Sequence, residues 1–92
     1  MDWMAIFTMV IEAIMKCMEN RSRASIAAGL ADPGAAEVGQ LRIILRKKGY
    51  RGQALREKID EGIAWVKSQP EAVSDLMDEA EERVQAAAAA DI

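Results

Sequence analysis

The chain has 92 residues, a hydrophobic fraction of 51%, a charged fraction of 29% and a net charge of -3. This length fits one folded domain and excludes two, because domains usually contain about 50 to 250 residues. There is no histidine and only one cysteine, which excludes imidazole acid–base catalysis, Cys/His zinc sites and an intramolecular disulfide framework.

Turn residues divide the sequence into helical segments, and no segment alternates polar and apolar residues for long enough to predict a strand. We therefore predict an all-α fold, a small bundle of four to five helices that forms a single domain over residues 1–92. The predicted helices cover residues 3–18, 22–31, 32–48, 53–67 and 68 onward. The alanine-rich end, 86–92, has nothing to bury and is predicted to fray.

Capping residues predict where several of these helices begin and end. Asp2 is the predicted N-cap of the first helix, and Gly49 is the predicted left-handed C-cap of the third. Asp32, followed by a proline, predicts the start of the third helix. Ser68 and Glu71 have the Ser-x-x-Glu spacing of a capping box, which predicts the start of the fifth.

The first helix is unusually apolar. Its only polar side chains between residues 3 and 18 are Thr8, Glu12 and Lys16, which share one narrow arc. The remaining surface carries two apolar stripes that together cover roughly 200°, about twice the ~100° that a surface helix needs to face its core. One stripe contains Trp3, Ile6, Val10, Ala13 and Cys17. The other contains Met4, Phe7, Ile11, Ile14 and Met18.

Two arrangements would cover both stripes. In the first, this helix is the centre of a monomeric bundle and both stripes are core. In the second, one stripe packs in the chain's own core and the other forms a homodimer or binds another protein. We assign the interface to Trp3, Ile6, Val10, Ala13 and Cys17, although periodicity alone does not decide which stripe is which. Cys17 is predicted to be a buried small hydrophobe.

A third arrangement attaches the first helix to a membrane. Its apolar stretch of 16 residues is shorter than the ~20 needed to span a bilayer, and Glu12 would lie in the hydrocarbon. No basic residue precedes the stretch, and Asp2 stands where a secretory signal has Lys or Arg. We therefore favour a cytoplasmic protein and rank peripheral membrane attachment last.

The middle of the chain is strongly basic. Residues 41–58 hold seven basic and one acidic group, whereas residues 59–92 hold two basic and nine acidic groups. The candidate nucleic-acid contacts are Arg42, Arg46, Lys47, Lys48, Arg51 and Arg56, with Tyr50 available to stack on a base. The spacing partly resembles a helix-turn-helix, but Lys48 and Lys58 fall where that motif buries apolar residues. The competing interpretation packs the acidic fifth helix against the third, which would neutralise Arg42 and Arg46 internally.

Nothing in the sequence indicates catalysis. Carboxylates on the fifth helix lie at i, i+3 and i+4, but no histidine joins them and no calcium-loop motif is present, so we predict neither a metal site nor a cofactor. We expect a non-enzymatic domain that associates with itself or with another protein through its methionine-rich first helix. Nucleic-acid binding through residues 42–58 is the alternative from another class.

Overall fold

The structure is a computed structural model that describes residues 1–17 and 21–90, and within these ranges it contains five α-helices and no strand. The helices are α1 (Trp3–Cys17), α2 (Arg23–Ala31), α3 (Ala35–Lys47), α4 (Gly52–Lys67) and α5 (Ala72–Ala90). The predicted all-α bundle is therefore confirmed. Met18, the predicted last residue of the first helix, lies outside the described residues.

α1 is the central helix of the bundle. It packs mainly against α5 and α3, while α4 packs on α3 and α2 packs on α5 and α4. Its buried side chains are Trp3, Ile6, Phe7, Thr8, Val10, Ile11 and Ile14. On a helix with 3.6 residues per turn these seven positions span about 200°. The chain's own helices thus cover most of the apolar circumference of α1.

Two of the helix ends match the capping predictions. The Asp2 carboxylate accepts a hydrogen bond from the backbone N–H of Ala5 at 3.2 Å. Gly49 has a φ of 104°, and its N–H donates to the carbonyl of Arg46 while the N–H of Tyr50 donates to that of Leu45. These two bonds form a Schellman motif, which satisfies carbonyl groups that the end of α3 would leave unpaired.

Two predicted helix starts are wrong. The N–H of Asp32 donates to the carbonyl of Ala28, so this residue ends α2, and α3 begins two residues after the proline. The Ser68 hydroxyl donates to the carbonyl of Trp65 at 2.7 Å. Ser68 therefore ends α4 instead of starting α5, and no capping box forms with Glu71.

The alanine-rich segment extends α5, and its fraying stays a prediction. Residues 86–90 continue α5 as a helix and are exposed, whereas residues 91 and 92 lie outside the described ranges. Alanine has the highest helix propensity, and extending an existing helix avoids the unfavourable nucleation step. This segment is therefore helical although it buries nothing.

Candidate interaction surfaces

The stripe assigned to an interface lies largely inside the molecule. Trp3 and Ile6 are buried, and Val10 is 0% exposed. These three side chains have no surface to offer a partner unless the bundle opens, so the predicted interface is corrected at these positions. Ala13 is half-buried and Cys17 is exposed, which leaves only the C-terminal end of the stripe at the surface.

The second stripe is divided in the same way. Phe7, Ile11 and Ile14 are buried, but Met4 is 40% exposed, and Met18 lies outside the described residues. The boundary between core and surface therefore crosses both stripes instead of running between them. The reason is that helices on two sides of α1, α3 and α5, cover adjacent parts of its circumference.

A groove between α1 and α3 contains two of the large apolar side chains that the structure exposes. Met9 is 39% exposed and Ile43 is 48% exposed. Both line a groove of about 360 Å³ that is open to solvent, together with Ala13 and Cys17. Charged and polar groups that also line it are Glu12, Lys16, Gln40 and Lys47. We call this surface the α1–α3 groove.

The sequence contained a signal for this groove that our interpretation did not use. Ile43 does not belong to the apolar face that predicted α3, which consists of Val38, Leu41, Ile44 and Leu45. An isoleucine outside the core face of an amphipathic helix indicates either a second core contact or an exposed apolar patch. Met9 likewise lies outside both stripes of α1, beside Lys16 of the polar arc on a helix with 3.6 residues per turn.

The prediction for Cys17 is wrong. This cysteine is exposed and lines the groove, beside the end of α1. Cys17 is the last residue of α1, and the groove that it lines with α3 is open to solvent.

The basic residues are all at the surface: Arg42, Arg46, Lys47, Lys48, Arg51 and Arg56 are exposed. Arg51 holds the end of α3, because its Nη1 donates to the carbonyls of Arg46 and Tyr50 at 2.7 and 2.8 Å. Arg56 donates to the side chain of Gln53.

The predicted neutralisation of α3 by α5 is wrong. The carboxylates of α5 are instead paired with a residue of α2: Arg23 donates to Asp78 at 2.7 Å and to Glu81. These hydrogen bonds raise the pKa of Arg23 above its usual value, with the bond to Asp78 contributing most. Across residues 1–17 and 21–90, no salt bridge involves the four basic residues of α3 and its C-cap, which are Arg42, Arg46, Lys47 and Lys48.

Tyr50 is not placed to stack on a base. It is half-buried and packs against the hydrophobic core, and the Lys58 ammonium lies 5.8 Å from its ring centroid. Lys58 also donates to Glu61 at 2.8 Å, which raises the pKa of this lysine. Tyr50, in the turn after α3, and Lys58 thus make their contacts within the chain.

The described residues form neither a metal site nor a membrane-spanning helix. Among the residues it describes, no group of three Cys, Asp or Glu side chains is arranged to hold a metal ion. None of the described helices combines the length and hydropathy that crossing a bilayer requires.

Comparison of the chain with protein-family models, with curated protein sequences and with solved structures gives no match.

Proposed function

We propose that this protein is a non-enzymatic interaction module that forms a two-fold homodimer through the α1–α3 groove. The observation that carries the proposal is that Met9 of α1 and Ile43 of α3 are both exposed and line one groove. An apolar centre surrounded by polar groups is the usual anatomy of a protein interface.

The charges around the groove favour a second copy of the chain as the occupant. Glu12 and Lys16 lie one helical turn apart on α1, and both line the groove. When two such helices pack antiparallel about a two-fold axis, Glu12 of each chain faces Lys16 of the other, because a two-fold axis repeats every contact. The rim is therefore self-complementary, which an interface between identical surfaces needs.

The shapes of the side chains also suit a close approach. Ala13 lies between Met9 and Cys17 along α1, and its small side chain lets a second helix approach closely at this point. Met9 is flexible and fills irregular gaps well. A chain of this size buries a smaller share of its surface than a larger one, and self-association is a common way to enlarge such a core.

A cytoplasmic location is part of the proposal. Its support is the exposed thiol of Cys17, since unpaired exposed cysteines persist in reducing compartments.

The dimer is tested by the mass of the purified protein in light scattering at about 100 μM, a concentration at which biological interfaces are usually occupied. We expect a mass of twice 10.1 kDa. Met9→Lys places a charge in the apolar centre of the interface and should give the monomer mass. Met4→Lys is the matched control, because Met4 is an equally exposed methionine on α1 that lies outside the groove. A wild-type monomer, or equal effects of the two variants, contradicts the proposal.

A further inference from the structure

We infer that the C-terminal half of α3 binds the phosphate backbone of a nucleic-acid duplex without reading its base sequence. The surface consists of Arg42, Arg46, Lys47 and Lys48, which we call the α3 basic surface. Lys47 belongs both to this surface and to the α1–α3 groove, whereas Arg42 and Arg46 do not line the groove and can be changed separately from the proposed dimer.

The α3 basic surface has a high density of positive charge. Four exposed cations occur within seven residues. Arg42 and Arg46 lie one turn apart, which corresponds to about 6 Å along the helix. Two steps from phosphate to phosphate along one strand cover about 6.8 Å of the duplex axis, because successive phosphates lie about 3.4 Å apart along it. The pair can therefore contact phosphates that are near neighbours.

Within residues 1–17 and 21–90, carboxylates of the chain do not neutralise these four positive charges. The acidic residues that would have neutralised them pack elsewhere, since α5 lies against α1 and α2 and pairs with Arg23. No salt bridge within the described ranges reaches the α3 basic surface. An arginine fork that has no carboxylate partner is suited to bidentate contact with phosphate.

The compact shape of the α3 basic surface favours a duplex over other polyanions. A duplex carries one charge per about 1.7 Å of its axis and releases condensed counterions when cations bind it. A compact cluster of cations therefore binds a duplex more tightly than it binds an acidic polypeptide. Readout of bases needs side chains that reach their edges or stack on them. Tyr50 is held by the core and Lys58, and for this reason we expect contacts to the backbone alone.

The test is fluorescence anisotropy of a labelled duplex of ~20 base pairs titrated with the full chain at several salt concentrations. Four phosphate contacts predict a slope of about -3.6 for the logarithm of the binding constant against that of salt concentration. Affinity should therefore fall roughly 100-fold between ~50 and ~200 mM salt. A duplex of unrelated sequence should bind equally well.

A pair of double variants locates the surface. Arg42→Gln with Arg46→Gln removes two contacts and should reduce the slope by about half. Lys67→Gln with Arg83→Gln is the control, because it removes the same charge from exposed positions on α4 and α5 and should leave the slope unchanged. These variants leave the groove intact, so their effect on duplex binding is independent of the mass measured for Met9→Lys.

Three results would overturn the inference. The first is the absence of binding at ~50 mM salt, where phosphate contacts are strongest. The second is an equal loss in the two double variants. The third is competition by poly-glutamate that matches competition by unlabelled duplex, which would make the surface a site for an acidic protein.

Discussion

Gly62→Ala is expected to lower the free energy of unfolding by about 1–3 kcal/mol, the usual cost of forcing extra volume into a packed core. Gly62 lies on the buried face of α4, and the ring of Trp3 rests directly on it. A Cβ at this position would lie 2.7 Å from Cζ3 and 3.0 Å from Cη2 of that ring. The ring has little room to move away, because Trp3 is buried and packs 6.1 Å from the ring of Phe7. Denaturant titration followed by circular dichroism measures the change.

A second substitution separates this clash from any effect of Gly62 on its own helix. With Trp3→Leu in the background, the added methyl has space, and alanine should then stabilise α4 by up to about 1 kcal/mol because of its higher helix propensity. The sign of the effect is thus expected to reverse between the two backgrounds, which is a large coupling for residues in contact. The same destabilisation in both backgrounds would show that the ring does not rest on Gly62.

Gly29→Ala is the second substitution with a large expected effect. A Cβ at Gly29 would clash with Oε1 of Glu37, whose side chain is 6% exposed. This carboxylate accepts from the N–H of Gly34 and lies 3.6 Å from Nη1 of Arg21. The added methyl forces Glu37 out of these contacts, so we expect a net loss of about 1–2 kcal/mol in the free energy of unfolding.

Gly39→Ala is the matched control for Gly29. Gly39 is also inside a helix, but a Cβ there meets nothing within 4 Å. Helix propensity then acts alone, and we expect this variant to gain about 0.5–1 kcal/mol in the same denaturant titration. If both glycine variants gain stability, Glu37 does not pack on Gly29 as described.

The helices themselves could be predicted from the sequence because each depends on local patterns. The period of Leu55, Ile59 and Val66 predicts the buried face of α4, and all three are buried. The end of α3 was predicted from Gly49, since few residues other than glycine adopt a positive φ readily. In both cases the residues that form the pattern also cause the local structure.

The junctions were harder because one residue can serve either of two helices. Asp32 and Ser68 both have side chains that favour the start of a helix. In the structure their backbone N–H groups complete the preceding helices, α2 and α4. Which helix such a residue joins depends on how the two helices pack, and that information is not local.

The surfaces could be predicted least. The apolar circumference of α1 was correctly identified as too wide for one contact, but the sequence did not indicate that α3 and α5 would cover it from two sides. The prediction that the acidic α5 pairs with α3 is wrong for the same reason. Arg23 and Asp78 are far apart in the sequence and meet only because α2 packs on α5. Ile43 and Met9 became a candidate site only when α1 and α3 were placed side by side.

We propose that the chain, which itself encloses the broad apolar face of α1, meets a second copy through the groove. This arrangement is tested most directly by isotope-filtered nuclear Overhauser spectroscopy on a mixture of labelled and unlabelled chains. The account predicts contacts between chains at the methyl groups of Met9 and Ile43, and none at Phe7 or Val10. Contacts between chains at Phe7 or Val10, or none anywhere, would contradict it.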